Sequence, residues 1–437
     1  MIPNAASTDE QTRGSLSRGW IAFLVCVFVL GALLRNVALT DMEYKGDERW
    51  MFERAQRIGI AEHWPWVGMN SGAGIRNPGL SVWVFVAPAR LLHLRAPTSL
   101  ARVVTVLATV SIGLWLLFAA RQIPAAQREP WLWAGALGAV NPGAVLLQRK
   151  IWAQSILPIL TVATLWGWWH RRTWWGAFLW GAVGASLGQI HMSGFFFACA
   201  FFLWTLLFDR DPENTNRRIR WEFWLLGSAC TAWPLVPWAR EILHAANGAS
   251  ASQELFQPIW GGFWRYWLLE IAALHPIYSL GWDSFRQWLA WPRIGGHAIY
   301  GVLGLYGFAL VLLVGALVGW ARSLWRWRAA GQRLAGASST GLAQNATLVG
   351  FGLLLTFSGL QLYPHYLVVA FPLTYLWLAR VTLASSRRGR PVLVSLFAVY
   401  ALISINLAWY IHTQHGSPGG DYGVTYSQQI APQKQPP

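Results

Sequence analysis

Eight residues, "EYKGDERW" (43–50), hold three carboxylates, a lysine and an arginine in a chain of which only 12% is charged. A carboxylate such as Asp47 can take the proton of an attacking hydroxyl or amine, which is general-base chemistry. Glu48 beside it can orient that base or ligate a divalent metal, although an acid at the head of a helix is favoured by the dipole alone. A basic pair, Arg149 and Lys150 in "QRKIWAQ" (148–154), together with Arg76, has the charge to hold phosphate oxygens. The same pair suits an ordinary interfacial snorkel equally well. Asn77 and Gln154 carry amides that can both donate and accept hydrogen bonds. His191 in "GQIHMSG" (188–194) and His365 in "YPHY" (363–366) can bond a substrate or simply cap a loop, and Tyr363 is either a ring for stacking on a substrate or an interfacial aromatic.

These side chains need a frame, and composition predicts its class. Apolar residues make up 55% of the 437, with 31 Trp, and they come in long blocks, so the chain reads as an all-α polytopic membrane protein. The net charge of +16 comes from arginines in short turns between those blocks, which is membrane topology and not nucleic-acid binding. Cys26, Cys199 and Cys230 lie inside apolar blocks without paired spacing and predict neither a metal site nor disulfides.

Residues 1–19 read as a cytoplasmic segment and Trp20–Leu34 as a retained first helix. Further spans are expected near 79–94, 100–120, 131–148, 151–169, 174–190, 193–208, 222–240, 298–320, 346–363, 365–380 and 391–411, each near the ~20 residues a bilayer requires. The turns "WWHRRTWW", "NRRIR", "WARSLWRWRAAGQR" and "SSRRGR" then fall inside, while 41–78, 148–154, 188–194 and 243–297 face outside. One parity conflict follows. Residues 90–102 count as inside and 148–154 as outside with two expected spans between them, so either one of those two is re-entrant or interfacial, or Arg149 and Lys150 lie inside; the first is expected, because four later loops agree with it. "GDERWMFERAQRIG" has helical spacing of Trp50, Met51, Ala55 and Ile58, which predicts an amphipathic helix on the outer surface with Asp47 as its N-cap. Glycines in "NSGAGIRNPGLSVW" (70–83) allow close backbone approach, and 414–437 is expected to be a disordered tail.

A first span, an outer loop with Asp47-Glu48 at the head of a surface helix, and Asn77-Pro78-Gly79-Leu80 entering the next apolar block together resemble the GT-C membrane glycosyltransferases. That superfamily includes protein O-mannosyltransferases, aminoarabinose transferases and, more distantly, oligosaccharyltransferases. The resemblance covers roughly residues 20–210 and returns at "YPHYLVVAFPL" (363–373). Asn77-Pro78-Gly79 stands where the family often has His-Pro-Pro, His365 where it has an arginine, and Gln154 where it has a second carboxylate.

The resemblance implies one membrane domain (20–413) of about 11 to 13 helices. It implies a polyprenyl-phosphate sugar donor, a lipid, glycan or protein acceptor, and a site on the extracytoplasmic face of a bacterial inner membrane. Asp47 and Glu48 would be catalytic, with Arg76, Asn77, Arg149, Lys150, Gln154, His191, Tyr363 and His365 binding substrate. A divalent metal is left open as a cofactor. The reading from another class is a polytopic transporter or lipid flippase, which expects ionisable residues inside the spans and repeated halves.

Overall fold

The computed structural model describes residues 15–71, 75–209, 218–246, 259, 261–329, 338–385 and 388–431. It is an all-α bundle with three two-stranded ribbons at its margins. Helix α1 (Arg18–Asn36) leads to the surface helix α2 (Gly46–Arg57), the ribbon β1 (Val67–Asn70) and β2 (Arg76–Pro78), and α3 (Leu80–Leu91). Then come α4 (Pro97–Gln122), α5 (Ala125–Val140), the short α6 (Pro142–Leu147), α7 (Ala153–Trp169), α8 (Trp174–Ile190) and α9 (Met192–Phe208). The second half holds α10 (Trp221–Ala232), α11 (Leu235–Ala246), α12 (Gly262–Ile271), α13 (Pro276–Leu280), α14 (Trp282–Leu289), the ribbon β3 (Arg293–Ile294) and β4 (His297–Ala298), and α15 (Gly301–Ala329). It closes with α16 (Ser339–Asn345), α17 (Phe351–Thr356), α18 (Leu376–Ser385), α19 (Gly389–Gln414), the ribbon β5 (Gly416–Ser417) and β6 (Gly423–Val424), and α20 (Tyr426–Ile430).

Among the described residues, four helices are long and apolar enough to cross a membrane, namely α1, α4, α15 over Gly301–Arg322, and α19; the bent pair Pro364–Ala370 and Leu373–Ala384 makes a fifth. Other expected spans are shorter or broken. The block 131–148 divides at Asn141-Pro142, where the Asn141 side chain accepts from Gly143 and Ala144 and starts α6 afresh. The block 222–240 divides into two helices of 12 residues.

Contacts at the helix ends sort the bundle into two ends. At one, Arg171 meets Asp209 at 2.6 Å, Arg390 meets Glu129 at 2.7 Å and His170 bonds Gln122 at 3.2 Å, so the basic turns gather there. At the other, Arg102 donates to the Asn36 carbonyl at 3.1 Å and His412 bonds Asp41 at 2.7 Å. The path of α3 differs from expectation. Helix α3 starts beside the Asp47 surface and finishes there too, with Arg90 donating to the Ile58 carbonyl at the end of α2. At 12 residues it is ~18 Å long, short of the ~30 Å core. Residues 90–102 therefore lie at the Asp47 end, and α4, which is long and apolar enough to cross a membrane, leads away from it.

Fully buried Trp115, Trp131 and Trp168 form much of the core, and each indole N–H has a partner: the Trp131 carbonyl, Thr340 and Thr205. The tail expected to be disordered is folded from 415 to 431. Tyr422 donates to the Asp41 carbonyl, Ser427 to the Asp41 carboxylate at 3.0 Å, and Gln429 to the Tyr44 carbonyl at 2.7 Å. Its glycines make room for this course, since a Cβ on Gly420 would lie 1.9 Å from the Leu280 carbonyl oxygen. Residues 432–437, like 1–14, lie outside the described residues.

Candidate active site

Helix α2 begins two residues earlier than its composition suggests. Lys45 is the N-cap, and Glu48, the third residue of the helix, reaches back to accept the Lys45 backbone N–H at 3.2 Å. Asp47 is therefore not the cap, and its exposed carboxylate is left for other work. Met51, Ala55 and Ile58 face inward as their spacing predicts.

A cavity of about 190 Å³ opens beside this helix start. Asp47, Asn77, Gln154, His191, Tyr363 and His365, drawn from five separate segments, all line it. Local geometry explains how each arrives. The β1–β2 ribbon packs onto the start of α3 so closely that a Cβ on Gly68 would meet Ser81 Oγ at 2.0 Å, and one on Gly79 the Pro65 carbonyl oxygen at 2.1 Å. That approach fixes Asn77, whose amide donates to the Met69 carbonyl at 3.2 Å while its own oxygen is buried without a partner. Gln154 sits in the first turn of α7, and its side-chain oxygen is likewise buried and unpartnered. His191 joins α8 to α9. Its Nδ1 accepts the Ser193 backbone N–H at 3.3 Å, which leaves Nε2 carrying the proton as a donor. Burial pushes its pKa down to about 3, so it acts as a neutral ring.

An aromatic row continues along the wall. Trp152 packs edge-on to His365 at 4.6 Å, Tyr363 stacks parallel to His365 at 5.7 Å, and His191 meets Tyr366 at 5.0 Å.

The basic residues expected to hold phosphate are placed otherwise. Arg149 is 8% exposed, and its guanidinium donates to the carbonyls of Leu34 and Ala38, each at 2.8 Å, closing the end of α1. Its fork is spent on backbone and it does not line the cavity, so the substrate-binding role is corrected to a helix-capping one. Arg76 is exposed and also off the wall; its carbonyl accepts from Trp238. Lys150 lies one layer behind the wall, with Nζ 2.8 Å from Glu43, 3.9 Å from Glu48 and 4.2 Å from the centre of the Trp152 ring. Burial works against the Lys150 charge, but Glu43 and then Glu48 outweigh it and raise its pKa. Burial likewise raises Glu48 to about 7, against the pull of Lys150.

These positions also decide the metal question for the side chains present. Asp47 is the one carboxylate on the wall, Glu48 is committed to the Lys45 N–H and faces Lys150, and no group of three or more His, Cys, Asp or Glu among the described residues is arranged to hold a metal ion. The donor set does not fit a divalent ion, and no step is derived through one.

Sequence reasoning missed Glu43, Trp152 and Ser81. Trp152 is two residues past Lys150, but nothing in its type separates it from the chain's other tryptophans. Glu43 pairs with a residue 107 positions away, which no local pattern announces.

No protein-family model matches the chain, and no curated protein matches it. Among solved structures it is similar to ArnT from Cupriavidus metallidurans, crystallised bound to undecaprenyl phosphate and in the apo state. Identity is 15% and TM-score 0.43 in both, over 92% of this chain and 79% and 78% of those chains. It is also similar to the apo oligosaccharyltransferase of Archaeoglobus fulgidus, at 12% identity and TM-score 0.43, over 94% of this chain and 56% of that one. These are likenesses of outline.

Proposed function

We propose that the protein is a GT-C-type membrane glycosyltransferase that moves a sugar from a polyprenyl-phosphate donor to a hydroxyl or amine of a lipid, glycan or protein acceptor. The active site would lie on the extracytoplasmic face of a bacterial inner membrane. One observation carries the reading: six residues from five segments converge on one cavity whose single carboxylate among the described residues, Asp47, is exposed, bonded to no other described residue and released from capping. A cavity with one base and a wall of neutral donors and aromatic faces suits a sugar better than an ion.

In the reaction, the acceptor's lone pair forms a bond to the anomeric carbon while the bond from that carbon to the phosphate oxygen breaks, its electron pair leaving with the phosphate. Asp47 takes the acceptor's proton. His191 Nε2–H and the amides of Asn77 and Gln154 are positioned as neutral donors to sugar or phosphate oxygens, and Tyr363 and His365 offer ring faces. With no arginine on the wall, the positive charge closest behind it is Lys150, beneath Trp152. Glu43 and Glu48 offset that charge, so the leaving phosphate is met by the neutral donors of the wall. Gln154 in place of a second acid leaves a single-base mechanism.

The transporter reading expects ionisable groups open to a path through the bundle. Here buried Arg35 is closed by Gln148 at 2.6 Å and by backbone carbonyls, and Glu270 by Tyr375 at 2.7 Å and His275 at 3.2 Å.

Mass spectrometry of membrane glycolipids and glycoproteins tests the proposal. A glycosylated species present with the wild-type protein should vanish in its absence and in the Asp47→Asn variant. Identical profiles in all three overturn it.

A further inference from the structure

At the same end of the bundle, but apart from the cavity, α14, the β3–β4 ribbon and the head of α15 enclose an open bowl of about 630 Å³. Its polar lining is Asp283, Arg286, Gln287, Arg293 and Tyr300. Both arginines are exposed, and neither has an ion pair or a side-chain hydrogen bond among the described residues. Elsewhere in the chain guanidinium groups are spent on carboxylates or carbonyls, as in Arg171, Arg149 and Arg390. Two guanidiniums facing one hollow repel each other unless an anion lies between them.

The rim indicates what kind of anion. Tyr300, which lines the bowl, is 56% exposed, and Trp282 and Ile294, the chain neighbours of the lining residues Asp283 and Arg293, are 62% and 67% exposed; these are large residues whose hydration is costly and which membrane interfaces favour. Below the rim, Leu303, Leu310, Val311 and Val314 are exposed along α15, a helix apolar enough to cross a membrane with only 28% of its spanning window buried in protein. A molecule in the bowl would therefore have its charged head among the arginines and its apolar part running down α15. Arg286 and Arg293 against Asp283 leave one positive charge, which matches the single negative charge of a phosphodiester. Asp283 is left to accept from a headgroup hydroxyl or amine.

We infer that this bowl binds the phosphodiester headgroup of a membrane phospholipid, at a site separate from the Asp47 cavity and independent of the sugar-transfer reading. Native mass spectrometry of the delipidated full-length protein in detergent tests it, with phosphatidylglycerol as the probe and diacylglycerol and inorganic phosphate as controls. Wild-type protein should bind phosphatidylglycerol more tightly than diacylglycerol. The Arg286→Gln/Arg293→Gln double variant should weaken that binding about tenfold or more, the scale expected when charge-assisted hydrogen bonds are lost, with an unchanged melting temperature because both side chains are exposed. Asp283→Asn should act in the opposite direction and tighten it. Unchanged affinity in the double variant, or inorganic phosphate displacing the lipid at equal concentration, overturns the assignment.

Discussion

The cavity wall and the layer directly behind it carry the same residue types in opposite states. On the wall stands one exposed carboxylate with no partner among the described residues, Asp47, with amides, histidines and aromatic rings around it. Behind it, Glu43, Lys150 and Glu48 form a buried ion network whose side chains are 5%, 6% and 1% exposed. Adjacent acids in the chain, Asp47 and Glu48, fall one into each layer because successive helical positions are about 100° apart. Charge that is paired and dry builds the frame, and charge that is wet and unpaired is free for chemistry. Substitutions in the two layers should therefore fail in different assays.

Asp47→Asn is the sharpest way to separate the layers and has the largest expected effect. The amide cannot take a proton, so transfer should fall by ~10² to 10⁴, the usual span of a general base. Expression, insertion and melting temperature should be unchanged, because Glu48 and not Asp47 satisfies the Lys45 N–H. A variant that unfolds would place Asp47 in the frame after all.

Lys150→Met should do the reverse. Removing one member of a buried pair strands the others, at about 3 to 5 kcal/mol, so yield and thermal stability should drop before any kinetic constant is measurable. The Lys150→Met/Glu43→Gln double variant should recover part of the loss, since fewer uncompensated charges stay buried. Normal stability in the single variant with a selective loss of donor use would move Lys150 onto the wall.

Arg149 tests the corrected role on a smaller scale. As a cap on the Leu34 and Ala38 carbonyls it should cost stability when changed to Ala, about 1.5 to 3 kcal/mol for its charged hydrogen bonds. Lys should recover only part, because one ammonium does not reproduce the fork. A phosphate clamp would instead show as weaker donor use at constant melting temperature.

How far this contrast could be read in advance follows from what each residue bonds to. Part of the wall was legible because a lone polar residue at a turn between apolar blocks, such as His191, stands out, while Gln154 was reached through the family resemblance. The buried layer was not, because Arg149 and Lys150 are neighbours in sequence and differ only in what lies opposite: backbone carbonyls for one, Glu43 for the other. The path of α3 escaped for a related reason. Arg90 reads as a cytoplasmic flank, whereas its partner is the carbonyl of Ile58, and hydropathy carries no information about that bond. The tail hid behind its Gly, Pro and Gln content, since the donors that dock it, Tyr422, Ser427 and Gln429, look like solvated residues until Asp41 and Tyr44 face them.

The smallest predicted effect lies in the buried group that caps the helix carrying the base of the wall. Glu48 caps α2, which carries Asp47, yet its carboxyl is buried and pushed up to about 7 from an ordinary 4.5. A raised folded-state pKa means that the folded protein holds this proton to higher pH than the unfolded chain does. The stabilising contribution is therefore complete below about 4.5 and is lost as pH rises through about 7. Across that window the folded state binds more protons, so stability must fall with pH, by at most about 1.4 kcal/mol per unit for one group. Melting temperature should decline from pH 5 to 7.5 and level off above. In Glu48→Gln, whose amide oxygen still accepts the Lys45 N–H but cannot titrate, that decline should be absent while the plateau at low pH is retained. An equal slope in both proteins would assign the titration to another group and leave Glu48 as a charged member of the Lys150 network throughout.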